Sequence, residues 1–183
     1  MGAQRSISDA KATTDRALES MESGFLLLDA QRKVVTWNRR YLEMYPWQAG
    51  EIKAGASFEK MLMVTALETL GDVPEEARVQ WVANRMSLMS QGVHSHEREF
   101  PNGRIIEITE RGTPDGGVVI VYQDVTRLRR ASAEIEQLAF FDPLTGLPNR
   151  RLLMDRVRQA MANSSRLGQH GALMFLDLDH FKL

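Results

Sequence analysis

The stretch Val93-His-Ser-His-Glu-Arg-Glu-Phe100, Pro101-Asn-Gly103, Arg104-Ile-Ile-Glu-Ile-Thr-Glu-Arg111, Pro114-Asp-Gly-Gly117, Val118-Val-Ile-Val-Tyr122 decides the fold. Its Asn-Gly pair tolerates the positive φ that primed hairpin turns demand, so 93–100 and 104–111 are expected to pair. Pro114 to Gly117 is a second turn signal. The β-branched run that follows fits a central strand covered by helices on at least one face. Three strands in meander are expected here.

Toward the N-terminus, the apolar run Phe25-Leu-Leu-Leu-Asp29 and the partner Val34-Val-Thr-Trp37 flank the polar turn Gln31-Arg-Lys33, which predicts a first hairpin. Three helices are expected next. Asn38 caps Arg39 to Tyr45, which Pro46 ends. Ser57 caps a second helix with Phe58, Leu62, Ala66 and Leu70 on one face, flanked by Met63 and Leu67 and closed by Gly71. A third runs from Pro74 to Gln91 with Val79, Val82, Met86 and Met89 inward and Gly92 as its stop. Helices gathered between two runs of antiparallel strands lie across one face of a single sheet and leave a concavity beneath them. The fold class is α+β. A weak stripe through Ile7, Ala10, Thr14, Ala17 and Met21 predicts a short helix within residues 1–22.

Composition narrows the function. A chain of 183 residues with 43% apolar and 26% charged side chains belongs to folded rather than disordered polypeptides. With 23 Lys+Arg against 24 Asp+Glu, the formal charge of −1 provides no global field for nucleic acid or an anionic membrane. The absence of cysteine excludes disulfides, thiolate zinc sites, iron–sulfur clusters and cysteine nucleophiles. No segment has the roughly 18 apolar residues of a membrane span, and residues 1–15 lack a signal-peptide centre. A cytoplasmic location is expected. The myristoylation-like Gly2 to Ser6 and the sequon Asn163-Ser-Ser165 have no supporting context.

Gly24-Phe-Leu-Leu-Leu-Asp29, Thr36-Trp-Asn-Arg39, Asn102-Gly-Arg104 and Gln123-Asp-Val-Thr126 occur in an order and spacing that resemble a PAS domain over roughly residues 20–126. The resemblance implies a five-stranded antiparallel sheet with helices on one face, a sensor module over 23–126, and a PAS ligand that the residues do not name. His94 and His96 share a strand face, where solvated side chains are expected ahead of haem ligation. Met61, Met63, Met86 and Met89 read as core filling before ligand lining. Trp37 and Trp81 read as core or interface aromatics.

Beyond Thr126, Leu128, Ala131, Ile135 and Leu138 repeat between charges, as in a two-heptad connector over 127–141. Two heptads are marginal alone, so the connector is expected to pair two copies of the chain with help from its flanking domains. In Phe141-Asp-Pro-Leu-Thr-Gly-Leu-Pro-Asn-Arg150, two prolines fix φ, and Asp142, Thr145 and Asn149 can each bond nearby amides. Asn149 caps a helix to about Ala162 with Leu153, Val157, Ala160 and Met161 inward. Ala172-Leu-Met-Phe-Leu-Asp-Leu-Asp-His-Phe-Lys182 reads as an apolar strand that delivers Asp177 and Asp179 at its end. Carboxylates there call for a partner, and a divalent cation holding substrate phosphates is one.

Together, Asp142 to Arg150 and Asp177 to Lys182 closely resemble the opening of a GGDEF domain, the bacterial diguanylate cyclase family. The resemblance implies magnesium at Asp177 with the Leu178 carbonyl, and GTP phosphates near His180, Phe181 and Lys182. Asp142, Asn149 and Arg150 belong to the structural motif, and Asp179 to local structure. Two such domains, each holding one GTP, would form cyclic di-GMP. The name-giving Gly-Gly-Asp/Glu-Glu-Phe turn is missing from 142–183, so the chain by itself is expected to be inactive, the regulatory portion of a longer cyclase. The alternatives are a degenerate nucleotide receptor or dimeriser, and a sensor histidine kinase, against which stands the lack of histidine between His96 and His170.

Overall fold

The structure is a computed structural model that describes residues 12–89, 94–168 and 170–176. It divides into two compact units, one ending at Arg129 and one beginning at Arg130. A helix α1 occupies residues 12–19 within the segment expected to be helical; the stripe residues Ile7 and Ala10 lie outside the described residues. Strands β1 (Gly24–Leu28) and β2 (Val34–Trp37) precede helices α2 (Arg39–Met44), α3 (Phe58–Thr69) and α4 (Glu75–Leu88). Strands β3 (His94–Glu99), β4 (Ile105–Gly112) and β5 (Val118–Asp124) complete an antiparallel sheet in the order β2-β1-β5-β4-β3. The expected α+β sheet with its intervening helices is present.

All three hairpins close with one loop design. The Gly103 amide donates to the Phe100 carbonyl at 2.8 Å and the Phe100 amide to the Arg104 carbonyl at 2.8 Å. The same pair of bonds links Thr113 with Gly116 and Gly117, and Asp29 with Arg32 and Lys33. This is a three-residue loop in which a type I turn ends on one left-handed residue. The primed turn expected at Asn102-Gly103 is therefore corrected. Pro101 adds a third loop residue and presets the type I turn, so only Gly103 takes positive φ, at 72°. Gly116 does the same at 84°, whereas Arg32 holds that position at 59° without the freedom of glycine.

Alternation on β1, β4 and β5 puts Leu26, Leu28, Ile106, Ile108, Val118, Ile120 and Tyr122 on the buried face. Against them pack Tyr41, Met44, Phe58, Met61, Leu62, Ala66, Val82 and Met89 from the helical side. Two helix expectations need correction. Ser57 stands at the start of α3 but makes no side-chain cap, because its backbone pairs with Lys33 as the chain runs along β2. Val79 is half exposed, and the inward face of α4 instead runs through Val82, Arg85 and Met89.

Asn38 is more than the expected cap. It is fully buried, its Oδ1 accepts from the Tyr41 and Phe25 amides at 3.0 and 2.8 Å, and its Nδ2 donates to the Leu18 and Ser23 carbonyls at 2.9 Å each. One side chain thus joins α1, β1 and α2.

Candidate functional site

Between α2, α3 and α4 and the buried face of the sheet lies a small pocket lined by aromatic and charged side chains. Tyr41 and Tyr45 sit one turn apart on α2 and its C-cap and stack at 5.2 Å, and the Tyr122 ring of β5 lies 5.0 Å from each. Trp47 and Phe100 meet the edge of Tyr45 at 5.4 and 5.5 Å. Burial pushes the pKa of all three tyrosines above the ordinary value, so they remain neutral hydroxyls. Gln48, fully buried, donates through Nε2 to the Met61 carbonyl and the Thr65 hydroxyl, both at 2.7 Å.

Charge enters from two elements. Arg85 of α4 forms a two-pronged ion pair with Glu110 of β4, which is 1% exposed; the second prong, Nη1 to Oε2, is 3.3 Å. Arg98 of β3 rests over the Trp81 and Phe100 rings at 4.5 and 5.2 Å and donates to the Thr69 hydroxyl. Burial lowers the pKa of both guanidinium groups. Neither the pair nor the poised Arg98 was among the sequence expectations. The signal existed: Glu110 continues the inward alternation of Ile106 and Ile108, and Arg85 sits between Val82 and Met89 at helical spacing.

His94 and His96 stack at 5.3 Å on this same face. Solvated positions were expected, but both are half-buried, and the Nδ1 of His96 is buried without a partner. Burial, with Arg85, His94 and Arg98 adding to it, pushes the His96 pKa down to about 4. The methionines divide. Met61 and Met89 are core, and Met61 also lines the pocket.

The sheet hands over to helix α5 (Thr126–Phe140) through Asp124. Its Oδ1 accepts from the Thr126 amide at 3.0 Å and hydroxyl at 2.6 Å, and its Oδ2 from Arg104 Nη2 at 3.1 Å. Burial opposes ionisation of Asp124, but these bonds outweigh it and hold its pKa below the usual carboxylate range. Arg129, one turn on, pairs with Glu97 of β3. The connector residues Leu128, Ile135 and Leu138 are all more than half exposed.

In the second unit the loop after α5 is built as its residues predict. Asp142 Oδ1 accepts from the Thr145 amide at 2.9 Å and hydroxyl at 2.8 Å, and Phe141 bridges to Pro148. Thr145 thereby holds the Asp142 carboxyl below its ordinary pKa. Asn149 caps helix α6 (Arg150–Leu167) by accepting from the Arg151 and Leu152 amides, while its Nδ2 reaches back to the Ala139 carbonyl at 3.0 Å. Arg150 is exposed at the first position of α6. The helix extends past the expected end at Ala162 to Leu167.

The strand expected from Ala172 is corrected over 172–176, which form no strand and are exposed. A strand requires a paired neighbour, and none of the described residues supplies one there. Asp177, Leu178, Asp179, His180, Phe181 and Lys182 lie outside the described residues. Among the described residues no group of three His, Asp or Glu side chains is placed to hold a metal ion. No helix among them is long and apolar enough to cross a membrane.

Comparison with known proteins agrees with this division. The PAS fold profile matches residues 18–133, more than half of the chain, and the profile of the diguanylate cyclase GGDEF domain matches residues 139–183. The probable diguanylate cyclase DgcE of Escherichia coli is 29% identical over 170 residues, covering 90% of this chain and 15% of that protein. The bifunctional diguanylate cyclase/cyclic di-GMP phosphodiesterase MucR of Pseudomonas aeruginosa is 51% identical over 57 residues, 31% of this chain and 8% of that protein. The chain thus spans only a small part of the length of these relatives. Among solved structures, the PAS domain of Bordetella pertussis BvgS is similar with a TM-score of 0.44 at 15% identity, covering 74% of this chain and 96% of that one. The chain belongs to the PAS fold family, and its PAS domain is followed by the opening part of a GGDEF domain.

Proposed function

We propose that this chain is the sensory and regulatory portion of a cytoplasmic PAS-GGDEF diguanylate cyclase. The PAS interior detects the signal, and α5 sets how two GGDEF domains, each with one GTP, come together to form cyclic di-GMP. The observation that carries this reading is the continuous helix α5, which begins on bonds to the last strand at Asp124 and ends in the ordered loop Asp142 to Asn149. A two-state change in the register or rotation of such a helix is enough to bias a pair of half-sites. Its exposed stripe of Leu128, Ile135 and Leu138 fits pairing with a second copy.

Asp177 and the Leu178 carbonyl supply the hard oxygen donors that magnesium takes, so the donor set fits that ion. There the ion would neutralise triphosphate charge, and the main chain of His180 and Phe181 with Lys182 would position the phosphates. The domains are assigned as 23–126 PAS, 127–141 signalling helix and 142–183 partial GGDEF.

The test is GTP turnover by the 183-residue chain and by the full product of its gene, with magnesium. The short chain is expected to be inactive and the full product to make cyclic di-GMP, with Asp177→Asn lowering turnover at least about a hundredfold. A full product that neither binds GTP nor turns it over would overturn the reading. Binding without turnover would replace it with a nucleotide receptor.

A further inference from the structure

We propose that His96 is an acid-operated latch: its neutral ring keeps the edge strand β3 seated under α4, and its protonation frees β3 together with the grip of Glu97 on the first turn of α5. The part given to α5 rests on its reading as the signalling helix, whereas the latch itself rests on the packing of β3. Position is the first argument. β3 lies at the edge of the sheet and pairs with β4 alone, so fewer hydrogen bonds hold it than hold β1, β4 or β5. Its alternation gives it two faces. His94, His96 and Arg98 turn inward, where Arg98 rests over the Trp81 ring of α4 at 4.5 Å, and Glu97 turns outward to pair with Arg129 of α5. One short strand thus touches both the helical layer and the connector.

Charge is the second argument. The Nδ1 of His96 is buried without a hydrogen-bond partner, so protonation of the ring leaves a cation with a buried nitrogen and no acceptor for it. On its own strand His94 stacks on the ring at 5.3 Å, and Arg98 follows on the same face. α4 contributes Arg85, a second guanidinium whose charge opposes that of the ring. On β4, Ile108 stands directly opposite His96, and Glu110, opposite His94, is taken by Arg85 in a two-pronged pair. α3 contributes the uncharged Thr69 hydroxyl, which holds Arg98. The Tyr45 and Tyr122 hydroxyls of the same interior are neutral, and residues 90–93, which lead into β3, contain no acid. The ring therefore faces two guanidinium groups and no free carboxylate among the described residues, and a proton on it favours any arrangement that moves it into water.

Linkage gives the sign. Seated, His96 titrates at about 4, and released into water it returns to 6.5, so acid favours the released strand from about pH 6.5 downward and the gain levels off below about pH 4. Between pH 7 and 5 the released population rises about five- to twentyfold, the lower figure allowing for solvent screening of the half-buried ring. Release carries Glu97 away from Arg129 and leaves Thr126 to tie α5 to the sheet.

The experiment follows native-state amide hydrogen exchange of the 183-residue chain at pH 7, 6 and 5 and constant ionic strength, corrected for the intrinsic pH dependence of exchange, with the His96 imidazole titrated by NMR. Protection of the β3 amides, and of the Arg129 amide bonded to the Val125 carbonyl, is expected to fall together by about five- to twentyfold from pH 7 to 5. At every pH both are expected to exchange faster than the amides that pair β1 with β5, which mark unfolding of the whole unit. His96→Gln, which takes up no proton, is expected to hold β3 protection constant. The imidazole titration, expected well below 6.5 in the folded chain, keeps the test decisive if that variant fails to fold. A His96 midpoint at or above 6.5, β3 protection equal to that of β1 and β5 or unchanged by acid, an Arg129 amide that ignores β3, or a full acid response in His96→Gln would each overturn the proposal. GTP and magnesium take no part, so a failed latch leaves the cyclase reading intact, and a failed cyclase assay leaves the latch standing.

Discussion

Helices α3 and α4 carry weak amphipathic patterns yet bury their inward residues, whereas α5 and α6 carry the sharper patterns and bury none. The contrast shows that an apolar stripe states a requirement and does not by itself meet it. In the first unit five strands meet that requirement. In the second, Ile135, Leu138, Leu147 and Met161 remain more than half exposed. Stability in the first unit is therefore tertiary, and in the second it depends on local bonds such as those of Asp142 and Asn149.

The sharpest way to break this contrast is to unpair a buried charge. Glu110→Leu leaves Arg85 without its partner, and we expect a loss of about 3–5 kcal/mol in urea unfolding of the first unit. Removing both charges together, as Glu110→Leu with Arg85→Met, is expected to recover most of that loss. A single variant close to wild type would show that the pair is solvated in solution.

The two asparagine caps offer a matched comparison. Asn38 and Asn149 each cap a helix and each reach back to an earlier carbonyl, but only Asn38 is fully buried. Asn38→Ala is expected to cost about 2–4 kcal/mol, a cap plus orphaned buried groups. Asn149→Ala is expected to cost about 1 kcal/mol, confined to α6 amide exchange. Equal losses would refute the assignment of stability to burial.

Acid comes next. The His96 pKa falls from 6.5 unfolded to about 4 folded, so the unfolded chain binds more protons between those values and stability declines as pH drops through that window. His96→Gln is expected to flatten the decline by about 1–2 kcal/mol between pH 7 and 4, the half-exposed ring keeping the effect modest. The smallest effect is expected at Arg32. Its replacement by glycine relieves the left-handed backbone and gives up the bond to the Gly116 carbonyl, for a net gain of about 0.5 kcal/mol in thermal melts.

How legible the molecule is from sequence follows the same division. The hairpins were readable because Pro-Asn-Gly and Pro-Asp-Gly encode loops within a few residues, although the turn type depended on counting Pro101 into the loop. Asn38 was readable as a cap. Its bonds to Leu18 and Ser23 were not, because they join segments that only the folded sheet brings together. The interior pocket was hidden for a similar reason. Arg98 and Glu110 look like solvent-facing charges until the pairing register turns them inward, and Arg85 until its helix packs with Val82 and Met89 facing the core. The loop at Asp142, being wholly local, was read correctly down to its bonds.

One consequence of the way α5 is held concerns mechanics. Thr126 and Arg129 fasten its first turn to the sheet, and Asn149 fastens the carbonyls of its last turn. Helix termini ordinarily fray and absorb twist. Over its 15 residues, about 22 Å at the usual rise, α5 is thus held in its first and its last turn by bonds from outside the helix. Deleting a single residue from its middle would advance the far end by about 100°, so the phase of this helix is a mechanical setting as definite as any side chain.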